Sequence, residues 1–281
     1  MALRLDSHQH FWLYNETDYS WIDNYILRQD YLPSHFEPLL RDNGLQGCIA
    51  VQAREIESET DYLITLQEKN SFIKGVVGWV DLKDSNLPKN LAKFTQKVSG
   101  FRLSLESKFN EKEIVDSSVL KGIQMLKEFD FTLDLIVPSA RLSLCAQLAD
   151  QFPNQLFVIN HLAKPDYSKN GFKAWAQSIQ TLSKRENVFC KISGMVTDGL
   201  REQDIAEELA IDEYIPYLDL ALETFTPSRL MFGSDWPLCT MAATFNEVYD
   251  VTSLYIEKLS KSEQEQVMGG SAALFYNIQP Y

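Results

Sequence analysis

The sequence predicts an α/β fold, a single (β/α)8 barrel, on three observations. Eight short apolar runs recur along the 281 residues, helical patterns separate them, and no GxGxxG follows any run. The runs are ALRLDSH (2–8), GCIAVQA (47–53), IKGVVGWVDL (73–82), VSGFRLSL (98–105), FTLDLIV (131–137), LFVINHLA (156–163), NVFCKISG (187–194) and RLMFGSDWP (229–237). Each is rich in Val, Ile, Leu or Phe, as parallel strands buried on both faces are. A doubly wound open sheet alternates in the same way, but it usually carries the glycine-rich nucleotide turn that is missing here.

The intervening segments read as helices. Ser58 and Asp61 have the spacing of a capping box ahead of YLITLQEKN. Val119, Ile123, Leu126 and Phe129 fall on one helical face, as do Phe172, Trp175, Ile179 and Leu182. Residues 203–225 read as one or two helices broken near Pro216. The stretch 11–43 is long and aromatic, which suits an elaborate first βα loop beside the barrel mouth. Repeats, low-complexity tracts and Pro/Gly linkers are absent, so one domain over 1–281 is expected.

Composition narrows the function. A formal charge of −13 disfavours nucleic acid and anionic membrane as partners. Cys48, Cys145, Cys190 and Cys239 form no CxxC pair, which points to reduced thiols and a cytoplasmic protein. MALRLDSHQHFW lacks the apolar stretch of a signal peptide, and no run is long enough to span a membrane. A homo-oligomer is compatible with everything in the composition.

The polar residues are informative because active sites of such barrels lie at the strands' C-terminal ends. Asp6, His8 and His10 mark the first run, and Arg102, Asp134 and His161 the fourth, fifth and sixth. Lys191 with Ser193 marks the seventh and Asp235 the eighth. Burying these groups unpaired costs several kcal/mol per ion, so convergence on one polar site is the economical reading. An HxH at a strand end sets two imidazoles side by side. His161 and Asp235 then complete a set suited to one divalent cation, and three protein ligands plus water is the usual catalytic zinc arrangement. His35, in LPSHFEPLL, reads as a loop or helix-start residue.

The stretches LRLDSHQHFW, VVGWVDL, GFR, NHLAKP, CKISGMVT and RLMFGSDWPLC, with the terminal SAALFY, resemble the amidohydrolase superfamily of metal-dependent hydrolases. Within it, the likeness is to the branch of L-fuconolactonase and L-rhamnonolactonase. The resemblance implies a metal or water site at His8, His10, His161 and Asp235, with Asp235 as general base. It also implies that Arg102, Lys164 and Lys191 hold the lactone's oxygens, with Asp134 and Trp79 beside them. No lysine ends the fourth strand, where carbamylation would bridge two metals, and Arg102 stands there instead. The expectation is therefore one divalent ion, zinc by preference, or catalysis without metal.

Three activities follow. The first is hydrolysis of a sugar-acid lactone: Asp235 activates water, His161 orients it or protonates the leaving alkoxide, and Trp12 and Trp21 stack on the sugar. The second is metal-dependent decarboxylation of an aromatic or muconic-type acid on the same barrel. The third is a non-catalytic sugar-binding barrel.

Overall fold

The computed structural model describes residues 3–106, 116–167, 171–198 and 211–279. Eight strands form one sheet in the order of the sequence. They are β1 (Leu5–Gln9), β2 (Gly47–Val51), β3 (Ile73–Gly78), β4 (Gly100–Ser104), β5 (Thr132–Ile136), β6 (Phe157–Ile159), β7 (Val188–Ile192) and β8 (Leu230–Phe232). Every consecutive pair is parallel. Each of the eight expected runs coincides with a strand, and each strand is shorter than its run; β1 extends one residue past the first run, to Gln9.

β1 and β8 close the sheet into a barrel. Asp235 N donates to His8 O at 2.8 Å, and His10 N to Trp236 O at 2.7 Å. Ser7 Oγ donates to Phe232 O at 2.6 Å. Asp6 sits on the seam, where one carboxylate oxygen accepts from His8 N and Ser234 N, both at 3.0 Å. A Cβ at Gly233 would lie 2.7 Å from His8 Cβ, so the close approach of the two strands requires glycine there.

Strand alternation sorts the core into two layers. Leu5, Ile49, Val51, Val77, Val158, Phe189 and Met231 pack together in the barrel interior. Ala272, Phe275 and Tyr276 join this cluster from the C-terminal segment and plug the end where the strands begin. The opposite faces of the strands, among them Cys48, Ala50, Phe101, Leu133, Leu135, Ile159 and Phe232, pack with the surrounding helices. The four cysteines are free and buried. Among the described residues no helix is long and apolar enough to cross a membrane.

The helices at 117–128 and 171–182 match their apolar faces. Two helix expectations need correction. The helix Glu57–Lys69 begins at an uncapped Ile56, so Ser58 and Asp61 lie inside it and form no capping box. Glu59 organises that turn instead: fully buried, it accepts from Ala53 N at 3.0 Å and Arg54 Nε at 2.9 Å. The helix Ile211–Phe225 runs unbroken through Pro216. The proline is exposed, while Tyr217, Leu218, Ala221 and Phe225 anchor the buried side. The earlier part of 203–225 lies outside the described residues. The loop after β1 holds a 3-10 turn (Tyr25–Leu27) and the helix Pro33–Asp42, in which His35 belongs to the first turn.

Burial raises the Asp6 carboxyl to about 6, against the hydrogen bonds from Ser234 and His8 that favour its charged form. A raised acid pKa means that the folded state binds the proton longer than the unfolded chain. The charge penalty therefore develops as pH rises from about 4 to about 6 and is full above it, at roughly 3 kcal/mol. Asp6→Asn should keep both seam bonds through its carbonyl oxygen. Its thermal stability relative to the wild type should rise across that pH window and level off above it, as read by melting curves from pH 4 to 8.

Candidate active site

A cavity of about 270 Å³ opens at the C-terminal rim of the barrel. Seven of the eight strands send a residue to it from their last turn or the loop beyond. These are His10 after β1, Ala53 after β2, Arg102 on β4 with Glu106 beyond, Ile136 on β5, His161 and Lys164 after β6, Thr197 and Asp198 after β7, and Asp235 and Leu238 after β8; Trp21 of the first loop completes the wall.

His10 and Asp235 define the chemistry of the floor. His10 Nδ1 lies 2.8 Å from Val51 O. A carbonyl only accepts, so Nδ1 carries a proton, and in the neutral ring Nε2 presents a lone pair. That lone pair faces Asp235 Oδ1 at 3.4 Å. His8 Nε2 is 3.7 Å from the same oxygen. His8 Nε2 and Asp235 Oδ1 are both buried and have no hydrogen-bond partner. Of these groups His10 Nε2 and Asp235 Oδ1 are the two acceptors, and they need a proton, a water or a cation between them.

The third imidazole arrives by an unusual backbone. β6 ends at Ile159, and His161, Leu162, Ala163 and Lys164 follow with φ of 56°, 50°, 62° and 47°. Left-handed backbone costs about 1–2 kcal/mol per non-glycine residue. The turn is held by Trp175 Nε1 donating to Leu162 O at 2.7 Å, and by Lys164 N donating to His161 O at 2.8 Å. It brings the His161 ring within 4.6 Å of the His8 ring, centroid to centroid. His161 Nδ1 lies 2.9 Å from Ser193 Oγ. Donor atoms of His8, His161 and Asp235 all fall within 4.8 Å of one another. This donor set, with its orphaned nitrogen and oxygen, fits one divalent ion. The β4 rim offers Arg102 rather than a lysine, so nothing there would bridge a second.

His8 and His161 are neutral. Burial holds His161 down at about 3, although the Asp235 charge opposes it, and pulls His8 well below its ordinary value. Burial also works against the Asp235 carboxylate, but His161, His10 and Arg102 outweigh it and hold that group below the usual range. Asp198 behaves oppositely. Enclosure in the cavity wall pushes it up to about 7, reinforced by Asp235 and Glu106 and opposed by Lys164.

The remaining expected residues divide. Arg102 lines the cavity, with Nη2 anchored on Gln52 O at 2.5 Å. Lys164 lines it too, paired with Glu106 at 2.7 Å. Trp21 forms part of the wall. Trp12 does not: it is fully buried and gives its indole hydrogen to Gln29 O at 2.9 Å. Trp79 is half-buried and outside the lining, its backbone tied to Thr60. Lys191 and Asp134 lie beneath the cavity rather than in its wall, paired at 2.7 Å and wholly buried. Burial gave them the look of substrate contacts, but their polar atoms are turned to one another and to His8. Glu106, Thr197 and Asp198 were missed. The available signal was position, since Glu106 follows the end of β4 and Thr197 and Asp198 lie in the first helix after β7.

A barrel of parallel strands with an imidazole–carboxylate centre at its C-terminal rim defines a class of hydrolase-type scaffolds. The chain belongs to the amidohydrolase family, whose model matches residues 5–278. It is 36% identical to an L-fucono-1,5-lactonase of Burkholderia multivorans, over 99% of this chain and 97% of that protein. It is 31% identical to an L-fucono-1,5-lactonase of Burkholderia ambifaria, over 99% and 97%. A crystal structure of an amidohydrolase from Burkholderia multivorans with bound zinc superposes with a TM-score of 0.92 at 34% identity, covering 99% of this chain and 100% of that one.

Gly194 tests the placement of His161. Its φ is +67°, and a Cβ there would lie 2.5 Å from His161 Nδ1. Gly194→Ala should destabilise the fold by about 1–2 kcal/mol through backbone strain alone. It should also displace the His161 ring, visible as a shifted imidazole resonance in a histidine-labelled NMR spectrum.

Proposed function

We propose that the protein hydrolyses the ester of a sugar-acid lactone of the L-fucono-1,5 kind, releasing the open-chain aldonate. The observation that carries the reading is the convergence of His10 Nε2 and His8 Nε2 on Asp235 Oδ1 at the cavity floor. Two full-length relatives named as L-fucono-1,5-lactonases set the substrate class. A neutral polyhydroxylated ring suits a wall in which Arg102 and Lys164 are matched by Glu106, Asp198 and Asp235.

In this mechanism Asp235 is the general base. Its carboxylate is ionised and faces the His8 and His10 rings, so a water held among them loses its proton to Asp235 as its oxygen attacks the lactone carbonyl. Arg102 stands where the carbonyl oxygen gains charge and stabilises it. The ring C–O bond then breaks and the leaving alkoxide takes a proton. His161, held neutral to about pH 3, is a poor source of that proton. Asp198, protonated up to about pH 7, is the better one. Lys164 and Glu106 meet the sugar hydroxyls, and Trp21 covers the ring's apolar face. His8, His161 and Asp235 would hold a divalent ion, zinc by preference, which when bound would polarise the carbonyl and acidify water. The buried reduced thiols support a cytoplasmic setting.

A panel of aldonolactones tests the reading, with L-fucono-1,5-lactone expected to be opened fastest; no rate above the spontaneous one on any member would end it. Asp235→Asn should lower kcat by roughly 10³-fold. Asp198 must be protonated to act, so kcat should fall as pH rises through about 7. Asp198→Asn should lower kcat by roughly 10²-fold and abolish that limb. Elemental analysis after zinc loading should find one ion per chain, and His161→Ala should remove it.

A further inference from the structure

We infer that Tyr276, in the C-terminal segment at the far end of the barrel, is a positioning residue for the catalytic imidazoles. Its hydroxyl donates to Asp134, at 2.8 Å from Oδ1 and 3.0 Å from Oδ2. Asp134 Oδ2 also accepts from Lys191 Nζ at 2.7 Å and from Asn160 Nδ2 at 3.1 Å. Lys191 Nζ reaches His8 Nδ1 at 3.1 Å and lies 5.3 Å from the Tyr276 ring centroid. Tyr276 therefore touches the ion pair twice, through its hydroxyl and its face.

From Asp134 the chain of contacts divides. One arm runs through Lys191 to the His8 ring. The other runs through Asn160, the residue immediately before the left-handed turn that begins at His161. Asp134 and Lys191 are wholly buried, as are His8 and Asn160, and Tyr276 is 2% exposed. An apolar layer of equal volume would fill this interior at lower cost than a buried ion pair, so stability alone does not account for it. One end of the network faces Asp235 through His8 and the other adjoins His161, and both of those residues line the cavity. Holding ligands and bases through a second layer of hydrogen bonds is worth about 10–100-fold in affinity or rate where that layer is removed.

Tyr276→Phe removes one hydroxyl and keeps the packing. Phe275→Leu is the control, since Phe275 packs on Tyr276 and Phe189 at 4.8 and 4.9 Å between centroids but bonds to nothing in the network. In ¹⁵N-histidine-labelled protein, Tyr276→Phe should move the ring nitrogen resonances of His8 and His161 and leave His35 in place. Phe275→Leu should lower the melting temperature and leave all of these resonances unmoved. The rate arm rests on the lactonase reading: kcat should fall about tenfold in Tyr276→Phe with KM within twofold. Unmoved His8 and His161 signals in Tyr276→Phe, or equal shifts in both variants, would overturn the inference. The spectra need no substrate, so a wild type inactive on lactones would sink the functional reading and leave this one standing on the resonances.

Discussion

Closure of the first strand against the last is the constraint on which the site depends. Asp235 N on His8 O and His10 N on Trp236 O are barrel-closing bonds, and they also fix the distance between two imidazoles and a carboxylate. The same few peptides that end the sheet therefore aim its chemistry. Asp6 and Gly233 serve that seam, one by receiving two backbone donors and the other by having no side chain to hold the strands apart. The buried acceptors at the floor are tolerable only because the closed barrel holds them there; in a flexible loop they would turn to water.

Much of this was legible in the sequence. Eight apolar runs of strand length gave the architecture because parallel strands are buried on both faces, and ionisable residues at their ends stand out against Val and Ile. His8, His10, His161 and Asp235 were readable for that reason; the last three line the cavity, and His8 lies buried against Asp235 and His161. Lys191 and Asp134 were visible as anomalies, but a lysine pointing inward says nothing about its height in the barrel. The strand registers, with Arg102 beside Asp134 and Lys191 beside Met231, supplied what the pattern lacked.

Other features left little trace. NHLAKP contains no glycine, so nothing announces four successive left-handed residues there. That turn exists because Trp175 and the neighbouring strands impose it, a tertiary effect beyond the reach of local propensity. Trp12 and Trp21 are equally aromatic and lie in one loop, yet one is buried and the other faces the cavity. Only the fold of that loop, with its bridge between Trp12 and Tyr31, separates them. Asp198 and Glu106 look in the sequence like ordinary surface acids.

Because the floor is assembled from β1 and from the turn beyond β8, with Tyr276 beneath, its first part is synthesised long before its last. A nascent chain that has released seven strands still lacks the carboxylate and the plug. The imidazole pair at the first strand then waits without its partners until the turn beyond β8 and the plug have followed. The constellation is thus completed late in synthesis, and a product that terminates before β8 lacks its carboxylate.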